Sequence, residues 1–84
     1  MNAEVILRNS QAQTVTIAPL ELALRFLKHE CPDGEYTIEG QGMDAVFYRH
    51  NGTVYPAGGL MDGQRMPPRS LEECITLFGE GGIP

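Results

Sequence analysis

Two histidines and two cysteines, His29, Cys31, His50 and Cys74, are the only nitrogen and sulfur ligands in these 84 residues, and their spacing is poor for metal chemistry. A structural zinc site wants close pairs such as Cys-x-x-Cys or His at i,i+4. On a helix, His29 and Cys31 would project roughly 200° apart and could not share an ion. A Cys–His nucleophile needs an exposed thiol, whereas both cysteines fall on apolar helical stripes, which favours inert, buried packing. Neither serine, Ser10 or Ser70, stands in a Gly-x-Ser-x-Gly turn. Glu35 and Glu39 are paired carboxylates, but on a strand they lie about 13 Å apart, too far for two-carboxylate glycoside hydrolysis. Asp33-Gly34-Glu35 has too few oxygen ligands for a calcium loop. None of the glycine clusters is followed by the Lys-Ser or Lys-Thr that completes a phosphate loop. The expectation is a protein without catalytic residues, metal or cofactor.

The distribution of charge is more informative. The net charge is −5, and the segment 30–44 holds Glu30, Asp33, Glu35, Glu39 and Asp44 with no Lys or Arg, while the remaining six acidic residues are matched by six Lys and Arg. Charge confined to one region gives a local field, suited to a basic partner and unsuited to direct contact with nucleic acid or anionic lipid. Two cysteines are too few for a disulfide framework, and the N-terminal MNAEVILRN has no basic region followed by a long apolar run, which together predict a cytoplasmic location with reduced thiols. No apolar stretch approaches the roughly 18 to 20 residues of a membrane span.

The elements that would position these residues read β-β-α-β-β-β-α within a single domain, 1–84. Residues 4–8 and 13–18 are β-rich, with Val15 and Ile17 alternating with Thr14 and Thr16, and the polar stretch 9–12 suggests a hairpin. Pro19 suits the first turn of a helix; Leu20, Ala23, Leu24, Leu27 and Cys31 follow at helical spacing until Pro32. Residues 35–40 alternate again, placing Glu35 and Glu39 on one strand face. Asn51-Gly52 is a strong hairpin signal, because a type I′ turn needs positive φ at both central positions. It predicts the pairings His50 with Thr53, Arg49 with Val54, Tyr48 with Tyr55 and Phe47 with Pro56. Pro56, lacking a donor, implies an edge strand or a strand end. Ser70-Leu71-Glu72-Glu73 is a capping box opening a second helix with Leu71, Cys74, Ile75 and Phe78 on one stripe, closed by Gly79, Gly81 and Gly82.

These elements define an α+β domain: an antiparallel sheet of about five short strands with two helices packed on one face. Both faces of the hairpin over 44–57 are partly apolar, and the face carrying Tyr48 and Tyr55 is expected outside, where tyrosine favours an interface. Leu24 and Leu27 are expected to be fully buried. The apolar arc of the first helix extends to Leu22 and Phe26, expected to pack beneath the loop 58–69 with Leu60, Met61 and Met66. That glycine-containing loop is expected to be the most mobile internal segment.

A very small, acidic, single-domain chain of this composition resembles the phage-encoded inhibitors of host defence, anti-CRISPR proteins among them. The resemblance is one of size, charge and composition. It implies a non-enzymatic protein that occludes a basic or nucleic-acid-binding surface of a larger protein or nucleoprotein complex. The expected contact set is Glu30, Asp33, Glu35, Glu39 and Asp44, with Tyr48 and Tyr55 beside it. The alternative is a small structural or assembly adaptor that uses its apolar excess or an open sheet edge to form a homodimer or larger homo-oligomer. A small-ligand binder would instead use 58–69 as a lid.

Overall fold

The computed structural model describes residues 3–79. Its elements are β1 (Glu4–Asn9), β2 (Thr14–Pro19), α1 (Leu20–Glu30), β3 (Gly34–Gly40), β4 (Met43–His50), β5 (Thr53–Met61), β6 (Gln64–Met66) and α2 (Leu71–Phe78). The strands form one six-stranded antiparallel sheet in the order β2-β1-β3-β4-β5-β6. This is the α+β class expected, with one strand more. The extra strand comes from 58–69: β5 runs on to Met61, turns at Asp62-Gly63 and returns as β6. The segment is thus a hairpin rather than a loop. Asp-Gly is the same kind of signal as Asn-Gly, and three tight turns share one backbone solution. Gln41-Gly42, Asn51-Gly52 and Asp62-Gly63 have φ of 56° and 77°, 51° and 77°, and 52° and 76°, the paired positive values of type I′ turns whose twist matches that of the strands.

β1 and β2 form the first hairpin, closed by Asn9, whose Oδ1 accepts from the backbone N–H groups of Gln11 and Gln13, each at 3.0 Å. A register shift in β1–β2 pairs Leu7 with Thr16 but Arg8 with Thr14, so Val15 is an extra residue. The bulge breaks the expected alternation. Val15 packs against the core and Ile17 stays 54% exposed. The chain then crosses through α1 to β3, which pairs with the far side of β1, giving a split β-α-β unit.

The two helices lie on opposite faces of the sheet, correcting the expectation of one. Ala23 and Leu27 of α1, with Cys31 just past its end, pack with Val5, Leu7, Tyr36, Ile38, Ala45 and Phe47. Cys74 of α2 packs with Tyr55 and Ala57, flanked by Val46 and Tyr48. Ala45 and Phe47 alternate with Val46 and Tyr48 along β4 and so point to opposite sides. Because both sides are apolar, both are covered, and Tyr55 is 1% exposed beneath α2 rather than outside. Its hydroxyl donates to the Gly79 carbonyl at 2.9 Å, and Cys74 Sγ lies 3.4 Å from the Pro56 carbonyl. Each helix covers part of the sheet's width. α1 follows β2 and sits over β2 and β1, reaching β5 as well, while α2 follows β6 and sits over β5.

Pro19 ends β2 and serves as the N-cap of α1, with φ −55° and ψ 149°. At the other end, Nε and Nη2 of Arg49 donate to the Lys28 carbonyl at 3.3 and 3.1 Å, satisfying an orphan acceptor of the last turn. α2 opens with the expected capping box: Glu73 N–H donates to Ser70 Oγ at 3.1 Å and Ser70 N–H to Glu73 Oε1 at 3.0 Å. The Ser70 backbone N–H, and secondarily its hydroxyl, hold the Glu73 carboxyl below its ordinary range. This part of the cap is therefore complete at neutral pH and is lost as the pH falls through that lowered value. Gly79, at φ 76°, closes the helix by donating to the Ile75 carbonyl at 2.8 Å. Gly81 and Gly82 lie outside the described residues.

The hairpin register is the one expected, including the Tyr48–Tyr55 pair. Pro56 does not end the strand: β5 is an interior strand, and the ladder tolerates Pro56 because β6 pairs only with 59–61 and a bulge follows at Ala57. Gly59 lets the two strands pass there. A Cβ at Gly59 would sit 2.3 Å from the Asp44 carbonyl oxygen, with φ at 95°. At Gly63 the space is open. Gly59→Ala should therefore destabilise by about 3 kcal/mol or more, and Gly63→Ala by about 1 to 2, measured by urea unfolding. Leu27 is wholly buried whereas Leu24 is only half-buried. Leu27→Ala should cost about 2 to 5 kcal/mol, with Leu24→Ala clearly below it in the same assay.

Candidate functional site

The five carboxylates of 30–44 separate into three groups. Glu35 and Glu39 share one face of β3, and the register sets Glu39 directly opposite Asp44 and Glu35 directly opposite Tyr48. Glu4, two residues before the Ile6 that pairs with Glu39, projects from the same side. Glu30 sits at the end of α1, on the other face. Asp33 occupies the α1–β3 connection and is committed to structure: Oδ1 accepts from Arg49 Nη1 at 2.5 Å and from the Asn51 backbone N–H at 3.1 Å, with His50 Nδ1 3.9 Å from Oδ2.

The segment contains no cation of its own, but folding brings two to it. Arg49 takes Asp33, and Arg8 of β1 forms an ion pair with Glu39. Arg8 reaches Glu39 through the β1–β3 pairing, which spans a strand and a helix in sequence and leaves no local signal. What remains is an acidic surface of Glu35, Glu39, Asp44 and Glu4, tempered by Arg8, on the part of the sheet that α2 leaves open. Ile6 and the exposed Ile17 lie beside it. Tyr48 borders it, half-buried, and burial raises its phenol pKa, with the Glu35 carboxylate adding to the shift. Tyr55, expected in the same surface, belongs to the core.

The opposite face carries a concavity that sequence patterning missed, between α1 and the β4–β5–β6 meander. Leu24, Met61 and Met66 line it. Met61 and Met66 were expected to cover Leu22 and Phe26, but they pack at the edge of the α1 core. Leu22 and Phe26 are left 50% and 37% exposed beside Thr16 and Ala18 of β2. With Met61 and Met66 built into the sheet, 58–69 forms a wall of this concavity rather than a lid.

Among the described residues, no three His, Cys, Asp or Glu side chains converge as a metal site, and no helix is long and apolar enough to cross a membrane. Comparison with protein-family models, curated proteins and solved structures finds no match. Both cysteines are buried and unpaired. Burial pushes both thiols above their ordinary pKa, outweighing nearby Arg49 at Cys31 and Arg69 at Cys74. Both should resist iodoacetamide at pH 8 in the native protein and react only at the rate of unfolding, which mass spectrometry of timed samples will read.

Proposed function

We propose that this chain is a non-enzymatic binding protein whose acidic sheet face docks on, and occludes, a basic surface of a larger protein or nucleoprotein complex. An inhibitor covering a nucleic-acid-binding groove is the role that its size and charge suit. The observation that carries it is the opposition of Glu39 and Asp44 across β3 and β4, with Glu35 further along the same face. Like charges directly opposite one another in a sheet are unfavourable, and Arg8 answers only one of them. A cationic surface would relieve the repulsion and meet several carboxylates together, which favours rapid, salt-sensitive encounter. Phage origin and an anti-CRISPR role are one form this function takes.

The adaptor alternative draws on a different observation. The edge strand β2 lies in an uncharged run, residues 9–20, beside exposed Ile17, Leu22 and Phe26. The other edge, β6, has three residues including Arg65 and is followed by Pro67-Pro68, devices that blunt an edge. Light scattering separates the two functions. A dimer that dissociates in Ile17→Lys favours the adaptor, and a monomer favours the inhibitor.

Asp44→Lys tests the docking face, because it should move stability and binding in opposite directions. Replacing the repulsive pair with a cross-strand ion pair should raise unfolding stability by up to about 1 kcal/mol. Binding should weaken by about 1 kcal/mol or more, mainly in the association rate. The readout is a partner retained from native lysate by the wild-type protein, released by salt or by heparin as a competing polyanion, and poorly retained by the Glu35→Lys/Asp44→Lys variant. Equal retention by that variant, or indifference to salt and heparin, would remove the acidic face as the interface.

A further inference from the structure

The concavity on the α1 face lies on the other side of the sheet from the acidic surface and is independent of the function proposed for it. Its volume is about 630 Å³, within the range of roughly 300 to 1,000 Å³ typical of small-molecule sites. The floor and far wall are apolar, formed by Phe47 and Val54 with Met43, Met61 and Met66. Three methionines in one wall give a surface that adapts to a flexible chain, since the unbranched thioether side chain repacks easily.

The polar groups are distributed unevenly. Arg25, Lys28 and His29 project from α1 along one side, while Asp62 is the only acid in the lining, on the β5–β6 turn. Among the described residues, neither Arg25 nor Lys28 has an ion-pair partner, whereas Arg8 and Arg49 are held by Glu39 and Asp33. In a chain of net charge −5, an apolar cavity edged by unpaired cations is matched to a ligand that is apolar over most of its length and anionic at one end. The helix end would itself disfavour an anion, but the Arg49 guanidinium already covers the Lys28 carbonyl.

We propose that this cavity binds an aliphatic monocarboxylate, its chain lying across the methionines and its carboxylate between Arg25 and Lys28. No covalent step is involved. The probe is dodecanoate, compared with dodecanol as its neutral counterpart, each titrated below its aggregation limit into protein carrying ¹³C-methyl methionine. Dodecanoate should produce saturable shifts in the methyl signals of Met43, Met61 and Met66, and should bind about three- to fivefold more tightly than the alcohol. Arg25→Ala/Lys28→Ala, at exposed positions, should reduce dodecanoate to the affinity of dodecanol and leave dodecanol unchanged. Val54→Trp should block both ligands by filling the cavity. Met66→Trp, on the short end strand, provides the same test where the first variant does not fold by circular dichroism. Absence of saturable methyl shifts would overturn the proposal, as would equal affinities of acid and alcohol in the wild-type protein. Saturation by an acidic amphipathic helical peptide that dodecanoate cannot displace would also overturn it, and would reassign the cavity to a protein partner.

Discussion

The constraint on which this fold depends is the two-sided apolar character of the β4–β5 hairpin. Ala45 and Phe47 need cover on one side, and Val46, Tyr55 and Ala57 on the other. One helix cannot supply both. The chain meets the demand by placing α1 and α2 on opposite faces, so that a domain of this size has two clusters sharing one hairpin. A helix is about 10 Å across and neighbouring strands about 4.8 Å apart, so a single helix on a six-stranded sheet leaves strands uncovered on its own side. The acidic surface and the methionine-lined cavity occupy the areas left open, one on each face, and both are therefore products of the same packing problem.

Charge follows a similar logic. The carboxylates of 30–44 form a single block in sequence, but a helix end, a connection and two strands distribute them over both faces and one end of the sheet. Asp33 becomes a structural node, joining the end of α1 to the β4–β5 turn through Arg49 and Asn51. Glu39 acquires a partner from β1. Glu35 and Asp44 keep their exposure, so the outward field of the segment is carried by fewer residues than its composition implies.

What was legible beforehand is what short-range chemistry dictates. Asn51-Gly52 set the register through Phe47 and Pro56, Ser70 and Glu73 marked the start of α2, and the stripe through Ala23 and Leu27 marked the buried side of α1. Asp62-Gly63 carried a signal of the same kind, obscured by the neighbouring glycines and prolines that made 58–69 resemble a loop. The position of Tyr55 was not legible, because alternation separates two faces without saying which is buried, and here both are. Nor were the Arg8–Glu39 pair or the cavity, since each depends on elements distant in sequence. The bulge at Val15 likewise reversed a face assignment that strict alternation would have made.

The three two-residue turns between β3 and β6 also bear on how the chain finds its structure. Each strand of that meander meets its neighbour by closing a short loop, so little chain entropy is lost before the next ladder begins to form. The β1–β3 seam is different. Asn9 must find Tyr36 across the whole of β2 and α1, and no local turn guides it. The meander is thus the part of the sheet able to order first, offering the edge of β3 as a template to the β1–β2 hairpin. Until that seam closes, β3 is an open edge bearing Glu35 and Glu39, and their charge discourages another chain from pairing there in place of β1.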